Sequence, residues 1–274
     1  MRLSAGILLL GLLAMGAVLA PLAQRWLGHD PFTPDLFSRY GAPSLEHPLG
    51  TDELGRDMLL RLLYGARVSL TVGIAVALGA TTLGTAIGLA AAWRGGWLDA
   101  VLMRLADGML ALPILPLLVV LAAVDTGRFG LPRGEAAADI ARIVAILTLF
   151  GWVGVARLTR AAALTQLSLD YVAAARVAGA SEARLLFCHV LPNILGPITV
   201  ATALAVAGAI LAESTLSFLG LGIQPPAPSW GNMLSNAQEM VFSAPLAAVW
   251  PGLMILLAVT GCTLLADGLR RRVP

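Results

Sequence analysis

The sequence predicts an all-α polytopic membrane protein, and three observations predict it. The 274 residues are 58% hydrophobic, with a mean hydropathy of +0.84. Only 12% are charged, about half the share of a soluble domain. The apolar residues form long uncharged runs instead of alternating, which selects helices over a barrel.

Six spans are expected, because a helix needs about 20 apolar residues to cross ~30 Å of hydrocarbon. They are residues Leu3–Gln24, Val68–Ala92, Gly108–Val124, Ala138–Ala156, Ile194–Ala212 and Leu246–Ala266. The first also fits a secretory signal, with Arg2, an apolar core and small residues; its length and Pro21 favour an uncleaved span. Asp139 and Arg142 stand in the first turn of the fourth. Pro113 and Pro116 are expected to kink the third. Gly84 and Gly88 form a G-x-x-x-G suited to close helix packing, within the subunit or against a partner.

Arginine placement orients the spans. With the N-terminus in the cytoplasm, ten Arg and five acids lie inside, against eight Arg and eleven acids outside. The Arg270–Arg272 cluster then comes after the last span on the cytoplasmic side, so both termini are cytoplasmic. The external segment 25–67 runs against this bias with five Arg, partly offset by Asp52, Glu53 and Asp57. The chain divides into an N-terminal span with its external segment (1–67) and a membrane core (68–274), whose long cytoplasmic loop is 157–192.

All 18 basic residues are Arg. Without Lys there is no P-loop and no Schiff-base chemistry, so ATP would have to be used by another chain. The net charge of +2 gives no sign of nucleic-acid binding. Cys188 and Cys262 sit at different membrane levels, which argues against a disulfide, and His29, His47 and His189 have no neighbouring metal-type ligands. No metal or cofactor is expected on this chain.

The loop DYVAAARVAGASEARLLFCHVLPN (170–193) reads as two short helices. Asp170 caps the first, Gly179 ends it, and Ser181 caps the second, which ends before Pro192 and Asn193 open the fifth span. The Ala-rich first helix lets another surface approach its backbone. This stretch resembles the coupling motif of ABC importer permeases: Glu-Ala-Ala, three residues, Gly, nine residues, Ile, any residue, Leu-Pro. Ala174, Ala175, Gly179, Leu191 and Pro192 fall in register, whereas Ala173 replaces the family Glu and His189 the Ile. Further stretches resemble the dipeptide, oligopeptide and nickel branch of that family: HPLGTDELGRDMLLRLLYGARVSL (47–70), AESTLSFLGLGIQPPAPSWGNML (212–234), WPGLMI (250–255) and LLADGLR (264–270). The order resembles the shorter, second permease of the pair.

The resemblance implies a type I importer core of five helices plus an N-terminal helix in a bacterial inner membrane. It implies a homologous second permease, two ABC ATPases carrying ATP and Mg, and an extracytoplasmic substrate-binding protein. Di- or oligopeptides are the first substrate choice; nickel or another small solute is the alternative. The ATPase-coupling residues would be Tyr171, Ala174, Ala175, Arg176, Gly179, Ala180, Arg184, Leu191 and Pro192.

Glu213, with Ser214 and Ser217 beside it, closes an otherwise uncharged run. A carboxylate at that depth is either a pore or gate residue or a structural group held by hydroxyls. Asp52–Arg56 and Asp57–Arg61 are spaced i, i+4, which reads as a solvated interfacial helix or a docking surface for the binding protein. Trp230 in the Pro-rich external loop is a further contact candidate. An intramembrane hydrolase lacks a His at membrane depth, and a secondary carrier would show repeated ionisable residues or broken helices in two halves.

Overall fold

The computed structural model describes residues 2–124, 135–236 and 242–272. It is helical, with no strand among the described residues. The helices are α1 (Arg2–Leu27), α2 (Met58–Arg94), α3 (Gly96–Ala111), α4 (Ile114–Ala123), α5 (Ala136–Leu167), α6 (Asp170–Val177), α7 (Glu182–Phe218) and α8 (Pro245–Arg270). Five are long and apolar enough to cross a membrane, and the α3–α4 pair makes a sixth span if taken together.

The third span departs from the sequence expectation. Instead of one helix over 108–124, α3 and α4 meet at an angle of 86°. The break lies at Leu112–Pro113. Proline disfavours the α conformation of the residue before it, and Leu112 is extended (φ −78°, ψ 140°). Pro116 does not add a kink, because it lies in the first turn of α4, where its missing N–H has no helical partner to lose.

The second helix starts ten residues before the uncharged run, so the expected division at 67/68 falls inside it. Asp57 is the reason. Its side chain accepts a hydrogen bond from the Leu60 N–H at 2.8 Å and starts α2 at Met58. The fifth span also begins earlier than expected: α7 runs unbroken from Glu182. Residues Leu185–Val190 form a π turn, in which the Leu191 N–H bonds back to Leu186. The wider turn carries the backbone past Pro192, which can neither donate nor tolerate a tight preceding carbonyl.

The core is α2, α5 and α7, with α1 and α8 packed on one side. Gly84 and Gly88 are the contact between α2 and α5. A Cβ on Gly84 would stand 2.6 Å from the Trp152 carbonyl oxygen, and one on Gly88 would collide with that of Ala156. The G-x-x-x-G therefore packs within the subunit. Gly73 gives the same closeness to Ile210 of α7, and the Thr81 and Thr202 hydroxyls bond across that interface at 2.9 Å. The outer faces of α1 and α8 carry exposed Leu8, Leu12, Val18 and Leu256, as a lipid-facing surface requires.

Candidate coupling surface and gate

At the end of the bundle where α2 and α5 finish, α6 lies across the helix ends. Val172 is its buried anchor and joins Leu89, Ala163, Leu185 and Ile194 in one apolar cluster. The helix starts one residue off the expectation, with Leu169 rather than Asp170 in the cap position. It ends as expected at Gly179, whose φ of +85° is a conformation side chains resist. The Ala180 N–H bonds back to Ala175 at 3.0 Å, and the Ser181 hydroxyl accepts from the Arg184 N–H at 3.4 Å.

The sequence-predicted coupling residues divide into a tied set and a free surface. Tyr171 is a tie: its hydroxyl donates to Gln166 of α5 at 2.7 Å and receives the Asn193 amide of α7 at 3.2 Å. Leu191, Ala175 and Ala180 pack against the inner cluster. Ala174, Arg176, Gly179, Arg184 and Pro192 are at least partly open to solvent. Arg176 reaches Glu182 at 3.8 Å, and Glu182 also accepts from the Trp93 indole of α2 at 3.0 Å. Two side chains that sequence reasoning passed over dominate the free surface: Val177 is 90% exposed and Phe187 62%. Their signal was present as large apolar residues flanking the Gly179 turn.

At the opposite end of α7, Glu213 is fully buried. It receives hydrogen bonds from Ser217 at 2.7 Å, Ser69 of α2 at 3.1 Å and Ser214 at 3.5 Å. The Ser69 hydroxyl in turn accepts from the Trp230 backbone N–H at 3.2 Å. Glu213 therefore knots α7, α2 and the segment after α7 together, and faces hydroxyls rather than an open path. Gly231 makes this possible, because a Cβ there would meet the Ser214 backbone at 2.5 Å. Arg142 and Asp139 of α5, not singled out as site residues, hold the same segment. Arg142 donates to the Leu221 and Gly222 carbonyls at 3.3 and 3.2 Å, and Asp139 accepts from the Gln224 N–H at 3.2 Å.

The residues expected to contact a binding protein lie inside the subunit. Asp52, Arg56, Asp57, Arg61 and Trp230 are all buried. The first two lie in a loop rather than on an interfacial helix. Asp52 binds Arg56 at 2.8 Å and also Arg61 at 3.1 Å, while Asp57 pairs with His47 at 2.9 Å. Arg61 further donates to the Pro31 carbonyl at 3.2 Å. The charges hold the segment between α1 and α2 together because they have been taken out of water and must be paired there. The Trp230 indole donates to the Leu62 carbonyl at 3.1 Å inside the α1–α2–α8 core. Among the side chains this segment leaves bare are the apolar Leu36, Phe37 and Leu45, beside the charged Arg39 and Glu46.

Between the two ends, α2, α4, α5 and α7 line a half-open apolar cavity of about 300 Å³. Its α7 wall is Ala205, Gly208, Ala209 and Ala212, spaced i, i+3, i+4, i+7; Phe150 and Leu115 face it. The small-residue periodicity was present in the sequence, but the side of α7 facing the cavity is a tertiary fact.

The comparisons agree with this architecture. Residues 84–274 match the family model described as binding-protein-dependent transport system inner membrane component. A putative peptide transport system permease protein of Brucella suis is 38% identical over 97% of this chain and 84% of its own length. A di/tripeptide transport system permease protein of Pseudomonas aeruginosa is 44% identical over 81% of the chain and 70% of its own. A dipeptide transport system permease protein of Escherichia coli is 45% identical over 83% and 72%. With a helical bundle of five or six spans, a helix–Gly–helix element across one end and a family match over most of its length, this chain belongs to the binding-protein-dependent transport system inner membrane component family.

Proposed function

We propose that this chain is one of two homologous permeases of an ATP-driven importer of di- or oligopeptides. Both termini lie in the cytoplasm. Two ATPase subunits carry ATP and Mg, and an external binding protein delivers the substrate. The observation that carries the reading is the position of the 170–193 element. It lies at the end of the α2–α5–α7 bundle with apolar Val177 and Phe187 turned outward. A bare apolar surface of this kind marks a contact with another protein. The Arg bias puts that end in the cytoplasm, where the ATPases are. The names of the relatives from P. aeruginosa and E. coli support peptides as the substrate class.

The coupling mechanism builds on α7. One helix of 37 residues carries both the second half of the coupling element and the Glu213 knot, and the stretch from Phe187 to Glu213 is a lever of ~40 Å at 1.5 Å per residue. Motion of an ATPase against Phe187 reaches Glu213 along α7 without crossing a loop, and Val177 is joined to α7 by the Gly179 turn. Moving the knot shifts the segment around Trp230 that closes the external end. The small-residue wall of α7 then exposes the apolar cavity to one side of the membrane or the other. The external binding protein meets the face that carries Phe37 and Leu45.

The test is a mild-detergent pull-down from native membranes with mass spectrometry, run beside uptake of a labelled dipeptide. A second permease and ATPases co-purify, and Gly179→Asp abolishes ATP-dependent uptake. A chain that purifies alone, with uptake unaffected by Gly179→Asp, would overturn the reading.

A further inference from the structure

Arg2 and the Arg271–Arg272 pair are far apart in sequence, and the fold brings them together. Helices α1 and α8 run antiparallel at very close range. A Cβ on Gly6 would stand 2.6 Å from the Leu265 backbone nitrogen, and one on Gly268 would stand 2.5 Å from the Leu3 Cβ. That contact leaves an open cavity of about 530 Å³ at the helix ends, lined by Arg2, Leu3, Gly268, Arg271 and Arg272. One carboxylate stands beside it: Asp267 binds Arg2 at 2.9 Å across the water-facing edge. Three Arg residues therefore line a cavity with one acid beside it among the described residues. About one turn further along α1, exposed apolar side chains begin with Ile7 and Leu8 and continue at Leu12.

In a chain that spans the membrane, a cationic cavity at the helix ends continued by an apolar stripe matches the shape of an amphiphile. Guanidinium forks fit phosphate oxygens, and acyl chains fit the stripe. Gly268 lets Leu3 of α1 pack on its backbone, and this contact holds Arg2 beside the Arg271–Arg272 pair. We propose that the α1–α8 end is a binding site for an anionic phospholipid, with its phosphate among Arg2, Arg271 and Arg272 and its chains along α1. A lipid, rather than a free phosphate, is the occupant because the exposed apolar side chains of α1 begin about one helical turn from the Arg-lined cavity.

The experiment is native mass spectrometry of the purified importer, counting retained phosphatidylglycerol against phosphatidylcholine. Wild-type protein retains the anionic lipid preferentially. Each lost guanidinium lowers that preference about fivefold, so R271Q/R272Q lowers it strongly while R271K/R272K keeps it. Asp267→Asn raises it, by removing the opposing charge and releasing Arg2. This variant leaves every Arg in place, so its result stands even if the double variant inserts poorly. Excess inorganic phosphate leaves the lipid bound. No anionic preference in the wild type, a preference unchanged in both R271Q/R272Q and Asp267→Asn, or displacement by inorganic phosphate would each overturn the proposal.

Discussion

The two ends of α7 treat charge in opposite ways. The Glu213 end buries its densest charges, with Glu213 among three Ser hydroxyls and Asp52, Arg56 and Arg61 in one ionic cluster, while Asp35, Arg39 and Glu46 stay exposed. The end beside α6 leaves its surface open and turns apolar Val177 and Phe187 to solvent. In this chain charge density is therefore a poor guide to docking. Buried ions are paired to hold a loop, and the surface left for a partner combines Ala, Val and Phe with Arg176 and Arg184 at its edges. The physical reason is cost. A buried charge needs a partner inside the subunit, whereas an exposed apolar side chain gains by finding one outside.

Substitutions sharpen that contrast. The largest effect on folding is expected from Asp52→Ala, which leaves the buried Arg61 without its carboxylate and Arg56 with Glu53 alone. A loss of about 3–5 kcal/mol is expected, read as a lower melting temperature of the detergent-solubilised protein. Next comes Glu213→Ala, which leaves buried hydroxyls without their acceptor and costs about 1–3 kcal/mol. Its diagnostic readout is KM for uptake in the fraction that remains folded. An unchanged KM fits the knot, and a KM shift with full stability would return Glu213 to the substrate path. Gly179→Ala forces a side chain into φ +85° and costs about 1–2 kcal/mol. Smallest for stability is Val177→Asp, within about 0.5 kcal/mol, because the side chain touches little of its own chain. That variant nevertheless loses co-purifying ATPase. Retained ATPase in Val177→Asp would break the comparison between the two ends.

Local rules read from the sequence carried well where the chain acts on itself. The uncharged runs marked the spans, Gly179 ended α6, and Ser181 capped α7. Pro113 broke the third span, but the size of the bend was not legible, since a proline marks the place and packing sets the angle. The i, i+4 pairs misled because that spacing supposes a helix, and the Asp52 segment is a loop whose carboxylate reaches Arg61 as well as Arg56. Trp230 misled for a related reason. A Pro-rich loop reads as external, yet Gly231 lets it fold back against Ser214 and sink the indole between α1, α2 and α8.

By itself, the sequence determined the solvent of this protein, the order of its spans and the helix–Gly–helix element, and its Arg count supplies the proposed orientation. These depend on composition and on neighbours a few residues apart, where hydrophobic transfer and backbone preference act directly. Only the tertiary structure decided which charges are internal, which side of α7 faces the cavity, that the second half of the coupling element and the fifth span are one helix, and that Arg2 lies beside Arg271. Most of these depend on close contact between distant segments, at Gly84, Gly88, Gly231 and Gly268, and a contact between surfaces has no signature in either segment alone.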